Sequence, residues 1–190
     1  SENIIKSFEG HAYEVINVPM TWSEAEEHAQ QKLGTLAKID SLQENVFLQS
    51  LMSQITTVAQ DGGGAKYFWL GGSDTVLEGN WQWVDGTQID SSSITNRALW
   101  GQGPGFETGS SEPDNFMGNQ DCLAMGLETW PKDAETLSAL GAAGQWNDIS
   151  CSNKLSFVIE YDVTASFTDG LLQVKHITAG DKKYSASFQL

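Results

Sequence analysis

Residues 112–148 hold most of the chain's capacity for chemistry. Glu112-Pro113-Asp114 sets two carboxylates either side of a proline, Gln120 and Asp121 stand directly before Cys122, and Trp146-Asn147-Asp148 comes shortly before Cys151. Apart from Pro113, Trp146 and the cysteines, every one of these side chains is an oxygen donor. Such a set suits a hard divalent cation, since Ca2+ takes about six to eight oxygens at roughly 2.3–2.6 Å from carboxylates and amide carbonyls alike. A cis Glu112–Pro113 bond would turn both flanking carboxylates toward one ion, and cis bonds are essentially confined to X–Pro. Each motif alone is ordinary, a turn in one case and a strand end in the other. Their order, beside two cysteines, is not.

Other chemistries find less support. Glu112 and Asp114 could be read as the acid/base pair of a glycoside hydrolase. They sit two residues apart in one loop, however, beside amide side chains and with no nucleophile in view. No spacing supports a Ser-His-Asp or Cys-His arrangement, and no phosphate-cradling glycine loop precedes a helix. The expectation is a binding protein, not an enzyme.

Composition narrows the partners. Against 25 acidic residues stand 10 basic ones, a formal charge of −15, which works against nucleic acid and anionic membranes because phosphates need Lys and Arg opposite them. No stretch approaches the roughly 18 apolar residues of a membrane-spanning helix, so direct membrane insertion is not expected. The 190 residues, 39% hydrophobic with seven Trp, are enough for one domain with a real core. The N-terminus, Ser1-Glu-Asn-Ile-Ile-Lys6, lacks a signal-peptide pattern, which reads as a mature form or an excised piece. Cys122 and Cys151 are open to three readings: a disulfide, two free thiols, or half of a metal site. No second Cys/His pair lies at zinc-like spacing and His11, His28 and His176 are scattered, which favours the disulfide and an oxidising compartment.

The elements that must position these loops follow from local signals. His11-Ala-Tyr-Glu-Val-Ile16 alternates as a strand. Thr21-Trp-Ser-Glu24 and Ser41-Leu-Gln-Glu44 are capping boxes that start two helices. The first helix runs to about Leu33 with Gly34 as its C-terminal glycine. The second has apolar positions Leu42, Val46, Phe47, Leu51, Met52 and Ile55 at helical spacing. After Gly62-Gly-Gly64 the pattern turns to short strands: Tyr67–Leu70 closed by Gly71-Gly72, Asn80–Val84 with Asp85-Gly86 as a hairpin turn, Cys122–Met125, Gly144–Asp148 and Ser156–Tyr161. Residues 101–120, with five Gly and two Pro, read as a long loop region, of the kind that in compact domains is functional or disordered. The sum is an α+β domain, two helices followed by antiparallel sheets with long loops. A boundary near Asp162 separates residues 1–162 from 163–190. The latter is a strand-rich extension or the start of a following domain, with strands at Leu172–Ile177 and Tyr184–Leu190 joined by Gly180-Asp181.

Over about residues 8–162 the sequence resembles the C-type lectin-like family. The resemblance rests on Trp22-Ser-Glu-Ala25, Gly34-Thr-Leu-Ala37, Trp69-Leu-Gly-Gly72, Glu112-Pro-Asp114, Gln120-Asp-Cys122, Trp146-Asn-Asp148, Cys151 and Val158-Ile-Glu-Tyr161, all in the family's order. It implies the C-type lectin-like fold, with long calcium-binding loops. It implies that Glu112, Asp114, Gln120, Asn147 and Asp148 ring a principal Ca2+, whose open positions take two vicinal sugar hydroxyls while the same side chains hydrogen-bond those hydroxyls. Such bonds between hydroxyl and carboxylate are charge-assisted and stronger than neutral ones. Phe116 could stack on the apolar face of a sugar ring or simply pack in the loop. Asp74, Glu78, Asn115 and Asp121 are candidates for an auxiliary metal site.

The chain departs from the family pattern in three respects. Its usual second disulfide would join the positions of Ala29 and Ile159, both apolar here, so packing would replace the bridge. Glu112-Pro-Asp114 mixes the Glu-Pro-Asn motif of mannose-type sites with the Gln-Pro-Asp motif of galactose-type ones, leaving mannose-, fucose- and galactose-like sugars all open. The segment between Cys122 and Trp146, carrying Trp130-Pro131, is longer than usual and would be a wall of the sugar site or a surface insertion. What the resemblance implies is an extracellular or cell-surface lectin that binds cell-surface glycans. The alternative is the same fold binding protein or ice. One Arg, high acidity and the strand-rich tail point to a module of a bacterial surface adhesin.

Overall fold

The computed structural model describes residues 5–90, 99–103, 111–135, 137–168, 171–179 and 182–189. Residues 104–110 of the glycine-rich loop and the Gly180-Asp181 connection lie outside them. The chain opens with a hairpin, β1 (Ile5–Phe8) and β2 (His11–Met20), then α1 (Trp22–Gln31), β3 (Thr35–Leu36) and α2 (Leu42–Leu51). Short strands β4 (Val58–Ala59), β5 (Ala65–Ser73) and β6 (Gln82–Trp83) follow, then β7 (Cys122–Gly126), β8 (Trp146–Ile149) and the long β9 (Leu155–Thr168). Beyond it, β10 (Leu171–Ala179) pairs antiparallel with both β9 and β11 (Lys182–Gln189). The Asp162 boundary therefore falls inside a continuous strand.

The main sheet runs β1-β2-β9-β5-β7-β8. It is mixed, not purely antiparallel as expected, because β5 meets β9 in parallel at Phe68–Ser156 and Trp69–Phe157. The long stretch of chain between those two strands supplies the crossover that a parallel pair needs. Period-2 alternation splits β5 and β7 between two cores. Phe68, Leu70, Leu123 and Met125 face α2 with Leu48, Met52 and a group of indoles. Tyr67, Trp69, Cys122 and Ala124 face α1 with Ala25, Ala29 and Phe157. Trp100 stands edge-on to both Trp81 (5.2 Å) and Trp146 (5.8 Å), the arrangement aromatic quadrupoles favour. Ala29 and Ile159 are both fully buried in the α1-side core, where apolar packing stands in place of a covalent bridge.

Several local expectations are corrected. The first capping box is complete at Thr21 and Glu24. At Ser41 only half of the second forms: the Ser41 hydroxyl accepts from the Glu44 amide, but the Glu44 carboxylate accepts from Asp40 N–H and from the Tyr13 hydroxyl. Leu33, not Gly34, takes the left-handed conformation after α1 (φ 68°). Gly34 serves a close approach instead, since a Cβ there would lie 2.4 Å from Cγ2 of Ile159. Gly71 and Gly72 do not close β5 but lie within it, where side chains would collide with the Leu36 carbonyl and Leu123. Leu42 and Val46 are exposed, and α2 buries Glu44, Asn45 and Leu48. Asn45 holds a core position because its carbonyl accepts Trp146 Nε1–H (2.8 Å) and its amide donates to the Gly144 carbonyl (2.8 Å).

Candidate cation and ligand site

The Cys122–Cys151 disulfide forms, tying the start of β7 to the loop that follows β8. In the chain-entropy picture a loop of this size contributes about 3–4 kcal/mol. The bridge fixes two edges of the site. β8 carries Asn147 and Asp148, and β7 is entered from Gln120 and Asp121. The third edge is the loop from Ser111, which has the expected cis Glu112–Pro113 bond.

Carboxylate oxygens of Glu112, Asp114 and Asp148 lie within 4.8 Å of one another. Asp148, fully buried, orders the loop above it by accepting Asp114 N–H at Oδ1 (3.1 Å) and Asn115 N–H at Oδ2 (2.7 Å). Asn147 and Gln120 line the same cavity as Glu112 and Asp114, a space of about 270 Å³. The Gln120 carbonyl accepts Phe116 N–H (2.8 Å) and its amide nitrogen donates to the Asp61 carbonyl (3.1 Å). Asp114 and Phe116 are exposed at the cavity, with Phe116 opening a short 3-10 turn.

The electrostatics call for a cation. Burial pushes the Glu112 carboxyl up to about 9, with the Asp148 and Asp114 charges adding to the rise and the Trp130 N–H opposing it. Burial likewise raises Asp148 to about 7, against the backbone N–H groups that favour its charge. Glu112 is only 3% exposed and its Oε2 has no hydrogen-bond partner. A buried, unpaired carboxylate oxygen is costly unless something positive meets it. An all-oxygen donor set of carboxylates and amides fits a hard divalent ion such as Ca2+ better than a softer metal.

A family model described as Lectin C-type domain matches residues 18–160. The chain belongs to the C-type lectin domain family. It is 29% identical over 161 residues to the alpha-N-acetylgalactosamine-specific lectin of Patiria pectinifera, covering 83% of this chain and 77% of that one. With the hepatic lectin of Gallus gallus it shares 29% over 153 residues, 80% of this chain but 56% of that protein. Among solved structures, the mouse scavenger receptor C-type lectin carbohydrate-recognition domain has the same fold, at TM-score 0.56 and 21% identity over 82% of this chain and 91% of that one. So does a Ca2+-dependent type II antifreeze protein in its Ca2+-free form, at TM-score 0.54 and 21% identity, covering 82% of this chain and 95% of that one.

A second carboxylate group of this C-type lectin domain comprises Asp74, Glu78 and Asp121, again with oxygens within 4.8 Å. Asp74 is buried. Its Oδ2 accepts Gly79 N–H (2.8 Å), its Oδ1 has no partner, and burial raises its carboxyl to about 6. These are the features of the first group repeated, and they suit an auxiliary cation. Asn115, the fourth residue expected there, accepts Gln120 N–H at its side-chain oxygen (3.1 Å) and lends its own N–H to Asp148. A third group, at the β2–β9 ladder, places His11 Nδ1 2.9 Å from a Glu160 oxygen and 3.0 Å from an Asp162 oxygen.

Three participants had no motif to announce them. Trp130 Nε1–H donates to Glu112 Oε1 (3.0 Å). Asn147 Nδ2 donates to the Tyr67 hydroxyl (3.0 Å). Asp61 accepts from Ser150 N–H (2.7 Å), Asn153 Nδ2 (2.6 Å) and Gln120 Nε2 (3.3 Å), pinning the loop before β5 to the disulfide loop. The unusual length of the Cys122–Trp146 segment was the one signal pointing toward Trp130; for Asp61 the sequence carries none.

Proposed function

We propose that this domain is an extracellular, calcium-dependent lectin that binds cell-surface glycans and serves cell adhesion. Glu112, Asp114 and Asp148, with Asn147 and Gln120 beside them, hold Ca2+ at the principal site. Asp74, Glu78 and Asp121 hold an auxiliary ion, with Asn115 as a further candidate ligand. When bound, the principal ion supplies coordination positions for two vicinal hydroxyls of a mannose-, fucose- or galactose-like sugar. The chain's own part is to aim carboxylate oxygens at the ion, to accept hydrogen bonds from the hydroxyls at exposed Asp114, and to offer Phe116 to the sugar ring. The observation that carries the reading is the Glu112–Asp114–Asp148 group with its buried, unpartnered Glu112 oxygen. The name of the Patiria pectinifera relative adds N-acetylgalactosamine to the sugars to be tried.

The reading is one of binding, without a catalytic step. A glycan array with calcium and with EDTA tests it: signals that vanish with EDTA support it, and an array blank in both conditions refutes it. The antifreeze neighbour raises ice as a second ligand; the concave cavity beside the carboxylates favours a small ligand over a flat ice face, and a thermal-hysteresis assay separates the two. A bacterial surface adhesin remains our proposed setting, argued from acidity, the lone arginine and the strand-rich tail. The relatives named above are animal lectins and lend it no support.

A further inference from the structure

We infer that Tyr67 and Trp130 form an aromatic brace which reserves Glu112 and Asn147 for the cation and leaves sugar recognition to Asp114 and the cavity walls. The inference rests on the calcium-lectin reading above and concerns how that site is divided between ion and sugar.

Glu112 and Asn147 are both 3% exposed. On Glu112, Oε1 already accepts the Trp130 indole N–H, and Trp130 is itself 1% exposed, so one acceptor site of that oxygen is committed inside the core before any hydroxyl arrives. The other oxygen, Oε2, is the unpartnered atom of the carboxylate group. On Asn147, the side-chain nitrogen donates to the Tyr67 hydroxyl, which in turn donates to the Gly62 carbonyl (2.8 Å). The two rings that make these bonds touch, with centroids 5.6 Å apart.

The indole sits in a place made for it. A Cβ added at Gly101, Gly126 or Gly141 would fall 2.6, 2.5 or 2.0 Å from Trp130 ring carbons, so three separate segments leave out a side chain around one ring. Trp130 N–H donates to the Gly141 carbonyl (3.2 Å) and its carbonyl accepts Leu140 N–H (2.8 Å), closing the insertion on itself. Next to it, Pro131 and Leu140 give the cavity apolar walls. The long segment between Cys122 and Trp146 is thus not a surface appendage. It carries a positioning residue that acts through Glu112.

The ligand that fits is a saccharide whose hydroxyl pair meets the ion with one exposed polar reader, Asp114, whose Oδ1 already accepts Phe116 N–H (3.0 Å), and whose apolar edge meets Pro131 and Leu140. A single acceptor distinguishes poorly between galactose-like and mannose-like diols, so the unmodified domain should bind both.

The brace predicts a signature in the unmodified protein. Among its seven indole N–H signals, the one assigned to Trp130 through its contact with the Tyr67 ring should move when Ca2+ alone is added in an NMR titration. Trp130→Phe keeps a ring and removes the N–H. Its Ca2+ affinity by calorimetry should fall about ten- to a hundredfold, the worth of a hydrogen bond to a charged group. Tyr67→Phe frees the Asn147 amide and should change the ratio of methyl mannoside to methyl galactoside affinities about fivefold, the worth of one neutral hydrogen bond. An unmoved Trp130 signal, or a Trp130→Phe protein that binds Ca2+ as tightly as the original, overturns the brace and leaves the lectin reading standing. A parent protein that takes up no Ca2+ overturns both.

Discussion

Raising the pH in the absence of calcium should destabilise this domain, opposite to the usual behaviour of a paired carboxylate. Burial raises Glu112 from 4.5 to about 9, so between those values the folded chain holds a proton that the unfolded chain has released. The slope of unfolding free energy with pH follows the protons bound in the unfolded state minus those in the folded state. It is therefore negative here, and stability is lost as pH climbs from about 5 to about 9. At about 1.4 kcal/mol per pH unit, this one group accounts for at most about 5 kcal/mol over that interval. The Asp148 charge is among the causes of the rise at Glu112, so one proton is counted for the two carboxyls. For a domain of this size each kcal/mol moves Tm by about 2–4 °C, giving a fall on the order of 10–20 °C in EDTA. On the proposed reading, saturating Ca2+ should replace the proton, bind more tightly as the ligands deprotonate and raise Tm by mass action; the gap between the calcium and EDTA curves should widen with pH. Glu112→Gln cannot ionise, so its EDTA curve should be flatter and its response to Ca2+ lost. Scanning calorimetry at pH 5, 7 and 9 decides the matter. A wild-type EDTA curve flat across that range, or a Glu112→Gln curve that tracks wild type, would refute the argument.

Three further substitutions probe how the site is held. Asp148→Ala removes a proposed cation ligand and the acceptor for Asp114 and Asn115 N–H; it should abolish Ca2+ uptake in calorimetry and lower stability by about 1–3 kcal/mol. Asp61→Ala cuts three hydrogen bonds between the loop before β5, Gln120 and the disulfide loop; a loss of about 2–4 kcal/mol in urea unfolding, with weaker glycan binding, is expected. Asn45→Ala strands the Trp146 indole N–H and the Gly144 carbonyl in the core, at about 2–4 kcal/mol, and sugar specificity on an array should be unchanged because no α2 residue lines the cavity.

Family, fold class and the carboxylate loops were legible because each has a local or strictly ordered signature. Thr21 and Glu24 form a capping box within four residues at the start of α1, and the Gln120-Asp and Trp146-Asn-Asp motifs stand beside the two cysteines of one bridge. Legibility failed where a long-range contact outvoted a local pattern. Leu42 and Val46 have the helical spacing of a core stripe, but Asn45 turns inward to accept the Trp146 indole N–H and these two face solvent, while Phe47, Leu51, Met52 and Ile55 still pack on the core. Glu44 has the spacing of a capping box, but a buried tyrosine hydroxyl drew it away. Gly34 has the position of a helix terminator and is needed for Ile159, 125 positions along the chain.

Trp130 shows the same limit at the site itself. Its donor role depends on three glycines at positions 101, 126 and 141, whose joint meaning appears only when the ring is seen between them. A motif states which atoms can ligate an ion. Whether the same atoms also read the sugar depends on which of their oxygens and nitrogens the surrounding core has already engaged. In this domain an indole and a phenol hold one atom each of Glu112 and Asn147, so the hybrid Glu-Pro-Asp motif cannot be translated into a sugar preference by motif alone. The ligand's class depends on the groups left accessible at the cavity, chiefly the exposed Asp114, one of whose oxygens accepts Phe116 N–H, and the apolar edge formed by Pro131 and Leu140.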